Sequence, residues 1–267
     1  MGKLKGKVAV VTGGNSGIGL ATAKEFAREG AQFVITGRDT RTLAEAAREI
    51  GGDVLALRSD SSSLAEIDEL FAAVKERYGR VDVLFVNAGV GKFAPVEETD
   101  EALFDQIMDT NFKGAYFTVK KALPLLFEGA SVILNTSVVA HVGFPNSSVY
   151  TASKAALLSL VRTLSSDLVA RGVRVNAVSP GPVETPIFGK MGLPAEAVDE
   201  TKRGFSEQVP LRRFGRPEEI AKAVLFLASA DSSFLVGTEI IADGGVSGFK
   251  VADANAGRNV GVRAEAA

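Results

Sequence analysis

The sequence predicts a doubly wound α/β chain, with seven mainly parallel strands in one sheet and helices on both faces. Three observations carry that expectation. Short β-branched runs alternate with amphipathic stretches from end to end. The runs "VAVVT", "VLFVN" and "SVILNTS" are apolar on both faces, as strands of a sheet covered on both sides must be. No proline- or serine-rich linker and no internal repeat breaks the rhythm, so residues 1–246 read as a single domain.

The first strand, near 7–12, follows the basic segment "MGKLKGK". That order superficially resembles a secretion signal, but the apolar run is short and ends in a glycine loop without a cleavage pattern. A helix at 17–30, a strand at 32–36, a helix at 40–50 and a strand at 53–58 follow. Ser63 and Glu66 have the spacing of a capping box opening a helix over 63–77, and 81–86 is the fourth strand. Residues 100–127 and 148–171 read as helices longer than one sheet face needs, with a strand at 130–135 between them. Strands at 172–178 and 237–242 and a helix at 217–229 complete the array, with right-handed crossovers. Residues 182–216, rich in turn formers, are too long for a plain connection and suggest a substrate lid. From 247 to 267 the apolar period is lost and a flexible tail is expected.

Composition excludes several classes of function. With 30 Lys+Arg against 32 Asp+Glu and no basic stripe, nucleic acid is not an expected partner. No run approaches the 18 or so apolar residues of a membrane span, so a cytoplasmic protein is expected. There is no cysteine and a single histidine, His141, which leaves no thiolate nucleophile and no multi-histidine metal centre. "GGNSGIG" offers Ser16, but Ile18 stands where a hydrolase elbow needs glycine. Carbonyl chemistry here must use hydroxyls, amines, carboxylates or an organic cofactor.

The segment "TGGNSGIG", between the first strand and first helix, makes a Rossmann-like cradle for a dinucleotide. Gly13, Gly17 and Gly19 allow a tight turn and close backbone approach to a pyrophosphate at the helix N-terminus; Ile18 is a further cofactor-binding candidate, and Asn15 and Ser16 could add neutral donors for a 2′-phosphate. At the tip of the second strand, Gly37 replaces the carboxylate that a ribose 2′-hydroxyl would want. Arg38 follows, suited to a 2′-phosphate, so NADP(H) is expected over NAD(H). Asp39 either caps the next helix or reaches the ribose, which would favour NAD. Asp60 and Ser61 after the third strand suit an adenine edge or the start of a helix equally well. Asn87, Ala88 and Gly89 end the fourth strand with small residues at the switch point where ligands gather.

These pieces, with Asn111, Ser137, "YTASK" at 150–154, "SPGPVET" at 179–185 and "DGG" at 243–245, resemble the classical short-chain dehydrogenases/reductases over residues 5 to about 246. The likeness extends to bacterial NADPH-dependent alcohol dehydrogenases that accept bulky ketones. It implies an active centre of Ser137, Tyr150 and Lys154 supported by Asn111, the latter holding a water that relays protons to Lys154. It also implies cofactor contacts from Pro180, Gly181, Val183 and Thr185, and a homotetramer packed through the two long helices.

Tyr150 and Lys154 can also be argued from their chemistry. Hydride transfer to a ketone leaves an alkoxide that needs a proton, and a phenol can give one. Free tyrosine has a pKa of about 10, and lowering it by three units takes about 4 kcal/mol. Residues four apart share a helical face, and one ammonium at about 4 Å supplies about 4 kcal/mol at an effective dielectric near 20. Tyr150 and Lys154 are both expected to touch the cofactor as well. Val139, His141 and Phe144 are candidates for the substrate mouth, and Phe188 and Met191 for an apolar lid over a ketone or secondary alcohol. Two further functions fit the fold, namely reduction of a 3-oxoacyl thioester and non-catalytic NADP-dependent regulation. Dehalogenases of this fold lack the glycine cradle.

Overall fold

The computed structural model describes residues 2–186 and 195–248. Its sheet has seven strands, β1 (Val8–Val11), β2 (Gln32–Gly37), β3 (Val54–Arg58), β4 (Val81–Val86), β5 (Leu126–Asn135), β6 (Arg174–Pro180) and β7 (Glu239–Ala242). They lie in the order β3-β2-β1-β4-β5-β6-β7, and every neighbouring pair is parallel. The chain winds outward from β1 in one direction and from β4 in the other. The loops after those two strands therefore open a crevice at the carboxyl ends, the place where such sheets bind ligands.

Alternation along the strands feeds two cores. Val10, Val34 and Leu84 face one side, where Ile67 of α3 (Leu64–Tyr78), Val119 of α5 (Gly114–Ala122) and Leu157 of α6 (Ser148–Leu168) cover them. Val11, Ile35 and Phe85 face the other. There they meet Phe26 of α1 (Gly17–Arg28), Leu43 of α2 (Thr40–Ile50) and Ile220 of α8 (Pro217–Ala228). Burial is complete for Phe26 and Phe85, at 0% exposure each, so truncating either would cost about 3–5 kcal/mol.

Four expectations differ from the structure. The helix expected over 100–127 is not continuous. It comprises α4 (Glu101–Met108), a π-helical turn (Asp109–Lys113), α5 and a 3₁₀ turn (Leu123–Leu125) with Pro124 at its second position. β5 then starts at Leu126 rather than 130. Leu126 pairs with Val81, residues after it leave the register, and regular pairing resumes at Ser131. Just after the π turn the helix backbone is closely packed. A Cβ at Gly114 would lie 2.0 Å from the Ser61 carbonyl oxygen, so the helix backbone touches the loop after β3. The predicted lid also contains a regular element, α7 (Ala195–Gln208), while Phe188, Met191 and the tail from 249 lie outside the described residues. Finally, only half the capping box forms. Ser63 accepts from the Glu66 N–H, but the Glu66 carboxylate reaches back to the Asp60 N–H at 2.8 Å.

Candidate active site

The loop between β1 and α1 is held open for a ligand by its own geometry. Gly13 and Gly17 have φ of +64° and +53°, values that favour glycine. A side chain at Gly19 would meet the Gly13 carbonyl oxygen at 2.2 Å. Ser16, at the N-cap of α1, makes no side-chain cap, so the first helical N–H groups face the crevice without a protein acceptor from that residue. This is a cradle that fits a pyrophosphate. Thr185 comes from the far side and would touch a Cβ on Gly17 at 3.2 Å.

At the tip of β2, the Asn15 side chain packs against Gly37 and donates to the Thr42 hydroxyl at 2.8 Å. Asp39 accepts from the Thr42 N–H at 2.8 Å, and that bond holds its carboxyl below the usual range. Its carboxylate is thus committed to capping α2. Arg38 is exposed and forms no ion pair among the described residues. Asp60 is engaged locally, accepting from Ser62 N–H and hydroxyl at 2.9 and 2.8 Å, and Ser61 is buried beneath Gly114.

Asn87 ties three strand ends together. Its amide donates to the Thr12 and Gly13 carbonyls at 2.9 and 3.2 Å, and its oxygen accepts from Asn135 at 2.8 Å. The amide oxygen of Asn135 is left buried without a partner, an orphan acceptor beside the cradle that suits a bound polar group. Ala88 and Gly89 then lead past Asn111. In the π turn, Asn111 is 1% exposed and grips Val90 on both sides, its oxygen accepting from Val90 N–H at 2.8 Å and its amide donating to Val90 O at 2.9 Å. The same amide reaches the Ser153 hydroxyl at 3.1 Å.

Ser137, Tyr150 and Lys154 converge. Ser137 follows β5, is 9% exposed, and its hydroxyl faces the Tyr150 phenol, where it eases ionisation of that group. Lys154 is buried on α6, donates to the Asn135 carbonyl at 2.8 Å, and lies 5.9 Å from the centroid of the Tyr150 ring. Lys154 Nζ and Asn111 Oδ1 both flank Gly89, 3.6 and 3.2 Å from where its Cβ would stand. The electrostatics depart from the sequence-based expectation. Burial raises the Tyr150 pKa, opposed only in part by the Ser137 hydroxyl, and the lysine does not pull it down. Burial also lowers the Lys154 pKa to about 8.

The β6 loop is fixed from behind. Gly181 donates to the Ala242 carbonyl at 3.0 Å, and a side chain on it would strike Asp243. Pro180 ends β6, and Val183 bridges Gly215, so the two ends of the lid insertion are joined at its base. Phe144 meets Phe205 of α7 with ring centroids 6.5 Å apart. Val139 is half-buried, and His141 is exposed with Nε2 on both Glu239 oxygens at 2.8 and 3.0 Å. Sequence reasoning missed Phe93, whose ring packs edge-on against Tyr150 at 5.4 Å. An aromatic residue in the loop after β4 was its only signal. It also missed Glu239.

A sequence model of the family described as enoyl-(acyl carrier protein) reductase matches residues 13–247. An oxidoreductase of Sarocladium schorii is 40% identical over 92% of this chain and 97% of its own length. A 3-oxoacyl-(acyl-carrier-protein) reductase of Thermotoga maritima is 36% identical, covering 91% of this chain and 99% of its own. Among solved structures, levodione reductase superposes with a TM-score of 0.87 at 32% identity, over 91% of this chain and 98% of that one. A glucose/ribitol dehydrogenase from Brucella melitensis gives 0.86 at 33%, over 93% and 99%. Sequence and fold agree that the chain belongs to the short-chain dehydrogenase/reductase family, oxidoreductases that use a nicotinamide cofactor on small-molecule substrates.

Proposed function

We propose that the chain is an NADP(H)-dependent oxidoreductase interconverting a ketone and a secondary alcohol, with Tyr150 as general acid and base. The observation that carries this reading is the convergence of Ser137, Tyr150 and the buried Lys154 beside Gly89, at the mouth of the glycine cradle. The nicotinamide, when bound, supplies or accepts the hydride. Ser137 holds the carbonyl oxygen, and the Tyr150 hydroxyl delivers the proton that the resulting alkoxide needs. Lys154 spends one N–H on Asn135 and keeps two for the ribose hydroxyls. Asn111, with its amide committed to Val90 and Ser153, is better suited to positioning than to a proton relay.

The cradle residues Gly13 to Gly19, with Asn87 to Gly89 and the 180–185 loop, would hold the cofactor. NADP(H) is favoured because Asp39 is occupied as a cap while the Arg38 guanidinium is available for a 2′-phosphate. Phe93, Phe144 and Phe205 give the substrate side an apolar wall. Exposed Phe104 of α4 and Tyr116 of α5 support a homotetramer that covers these helices. Reduction of a 3-oxoacyl thioester, the activity named for the Thermotoga relative, is the second reading, and paired assays with ketones and acyl-carrier thioesters separate the two.

Tyr150→Phe tests the mechanism. Turnover of NADPH with ketones is expected to fall at least about 100-fold while NADP binding stays near wild type. A variant within about tenfold of wild-type activity refutes the role given to the phenol.

A further inference from the structure

A chain of polar groups runs behind the segment that carries Ser137. Glu239 opens β7, paired with Ala177 of β6, and its side chain is partly buried at 17% exposure. One of its oxygens accepts from the Ser179 hydroxyl. Ser179 is wholly buried and its oxygen meets the hydroxyl of Thr136, the residue before Ser137. On its other side the carboxylate takes the His141 ring, four residues after Ser137. A single carboxylate therefore grips both ends of the segment 136–141.

Counting protons shows why the carboxylate matters. An ionised carboxylate only accepts, so Ser179 spends its one O–H on Glu239 and must accept from Thr136. The Thr136 hydroxyl has a competing acceptor, the Val178 carbonyl at 3.0 Å. If Glu239 is lost, Ser179 is released to donate to Thr136, and Thr136 turns to Val178. The segment thus has two hydrogen-bond arrangements, and the partner on β7 selects between them.

We propose that Glu239 is a positioning residue for Ser137, acting through Ser179 and Thr136 on one side and His141 on the other. It touches neither substrate nor cofactor in this account. Its effect is to hold the serine hydroxyl on the Tyr150 phenol. The inference rests on the oxidoreductase reading only for the importance of Ser137, and the arrangement itself can be tested without a substrate.

The chain has three tyrosines and no tryptophan. Replacing Tyr78 and Tyr116 with phenylalanine leaves Tyr150 as the one phenol, readable by ultraviolet absorbance during a pH titration. In that background Glu239→Ala is expected to raise the Tyr150 midpoint by about half a pH unit or more, because the Ser137 hydroxyl that favours the phenolate is no longer held in place. Glu239→Gln keeps an acceptor for Ser179 and should restore the midpoint. Ser179→Ala, a smaller change, should reproduce the Glu239→Ala shift and serves if that variant does not fold. In otherwise wild-type protein, with a ketone found in an NADPH-oxidation screen, Glu239→Ala should lower kcat about tenfold and leave NADP affinity unchanged. An unmoved midpoint in both Glu239→Ala and Ser179→Ala overturns the proposal, as does a glutamine variant as impaired as alanine. If wild type reduces no ketone, the proposed function fails while the titration still decides this inference.

Discussion

Replacing Lys154 with methionine should change the stability of the cofactor-free protein in a pH-dependent way. Burial lowers the ammonium from 10.5 to about 8, and the residue is 5% exposed. An ammonium whose folded pKa lies below its unfolded value opposes folding while it is charged. For this lysine the penalty is fully present below about pH 8, shrinks between about 8 and 10.5, and is gone above. The gap of about 2.5 pH units corresponds to about 3 kcal/mol.

Methionine fills similar space without charge, but leaves the Asn135 carbonyl without its donor, at a cost of about 1–3 kcal/mol that does not depend on pH. Comparing two pH values removes that constant. The unfolding free energy of the variant relative to wild type should therefore fall by roughly 2.5 kcal/mol between about pH 7 and pH 10. Urea denaturation followed by circular dichroism, without cofactor, measures it. A relative stability that holds steady within about 0.5 kcal/mol across that range refutes the claim that this ammonium is buried at a net penalty.

Arg38→Leu should weaken NADP binding about tenfold or more and leave NAD nearly unchanged, read by calorimetric titration; equal weakening of both contradicts the 2′-phosphate assignment. Gly114→Ala should destabilise by more than about 2 kcal/mol, since its Cβ would meet the Ser61 carbonyl at 2.0 Å, and an unchanged thermal midpoint argues against that contact. Burial opposes ionisation of Asp82, but the Val8 N–H, Arg80 and Lys7 together hold its carboxyl below the usual range. Its stabilisation is present above about pH 4 and lost as pH falls below that, so Asp82→Asn should show a flatter loss of stability in acid than wild type.

The parts visible in the sequence are those that periodicity or a fixed short spacing encodes. Strand alternation places Val10 and Val11 on opposite cores, and the glycines between Thr12 and Gly19 announce a backbone that a ligand must approach. The π turn at 109–113 was not legible in the periodicity, which runs on through it, and the Ser61 carbonyl packed on the adjoining Gly114 lies 53 positions back in the chain. The bulge in β5 was hidden for a similar reason, since it follows from where Val81 and Val83 sit. α7 was obscured by the turn residues around it, although "AEAVDETKRGFSEQ" is rich in good helix formers.

A division of labour accounts for both the legible and the hidden features. Burial of apolar surface is strong but non-directional, so it stacks helices on the sheet without fixing a hydroxyl to within a fraction of an ångström. At the carboxyl ends of the strands, that fixing falls to three side chains. Asn87 joins the ends of β1, β4 and β5, Asn111 joins the loop after β4 to α6, and Glu239 joins β7 to β6 and the segment after β5. Each is a single polar residue with partners far off in sequence, and although Asn87 and Asn111 stand in recognisable runs, nothing local marks Glu239. Lys154 sits among them with its charge held against burial, and a bound group offering acceptors would recover part of that penalty. The crevice is thus built in advance by directional bonds, and the buried Lys154 ammonium is a charge that a bound group offering acceptors would satisfy.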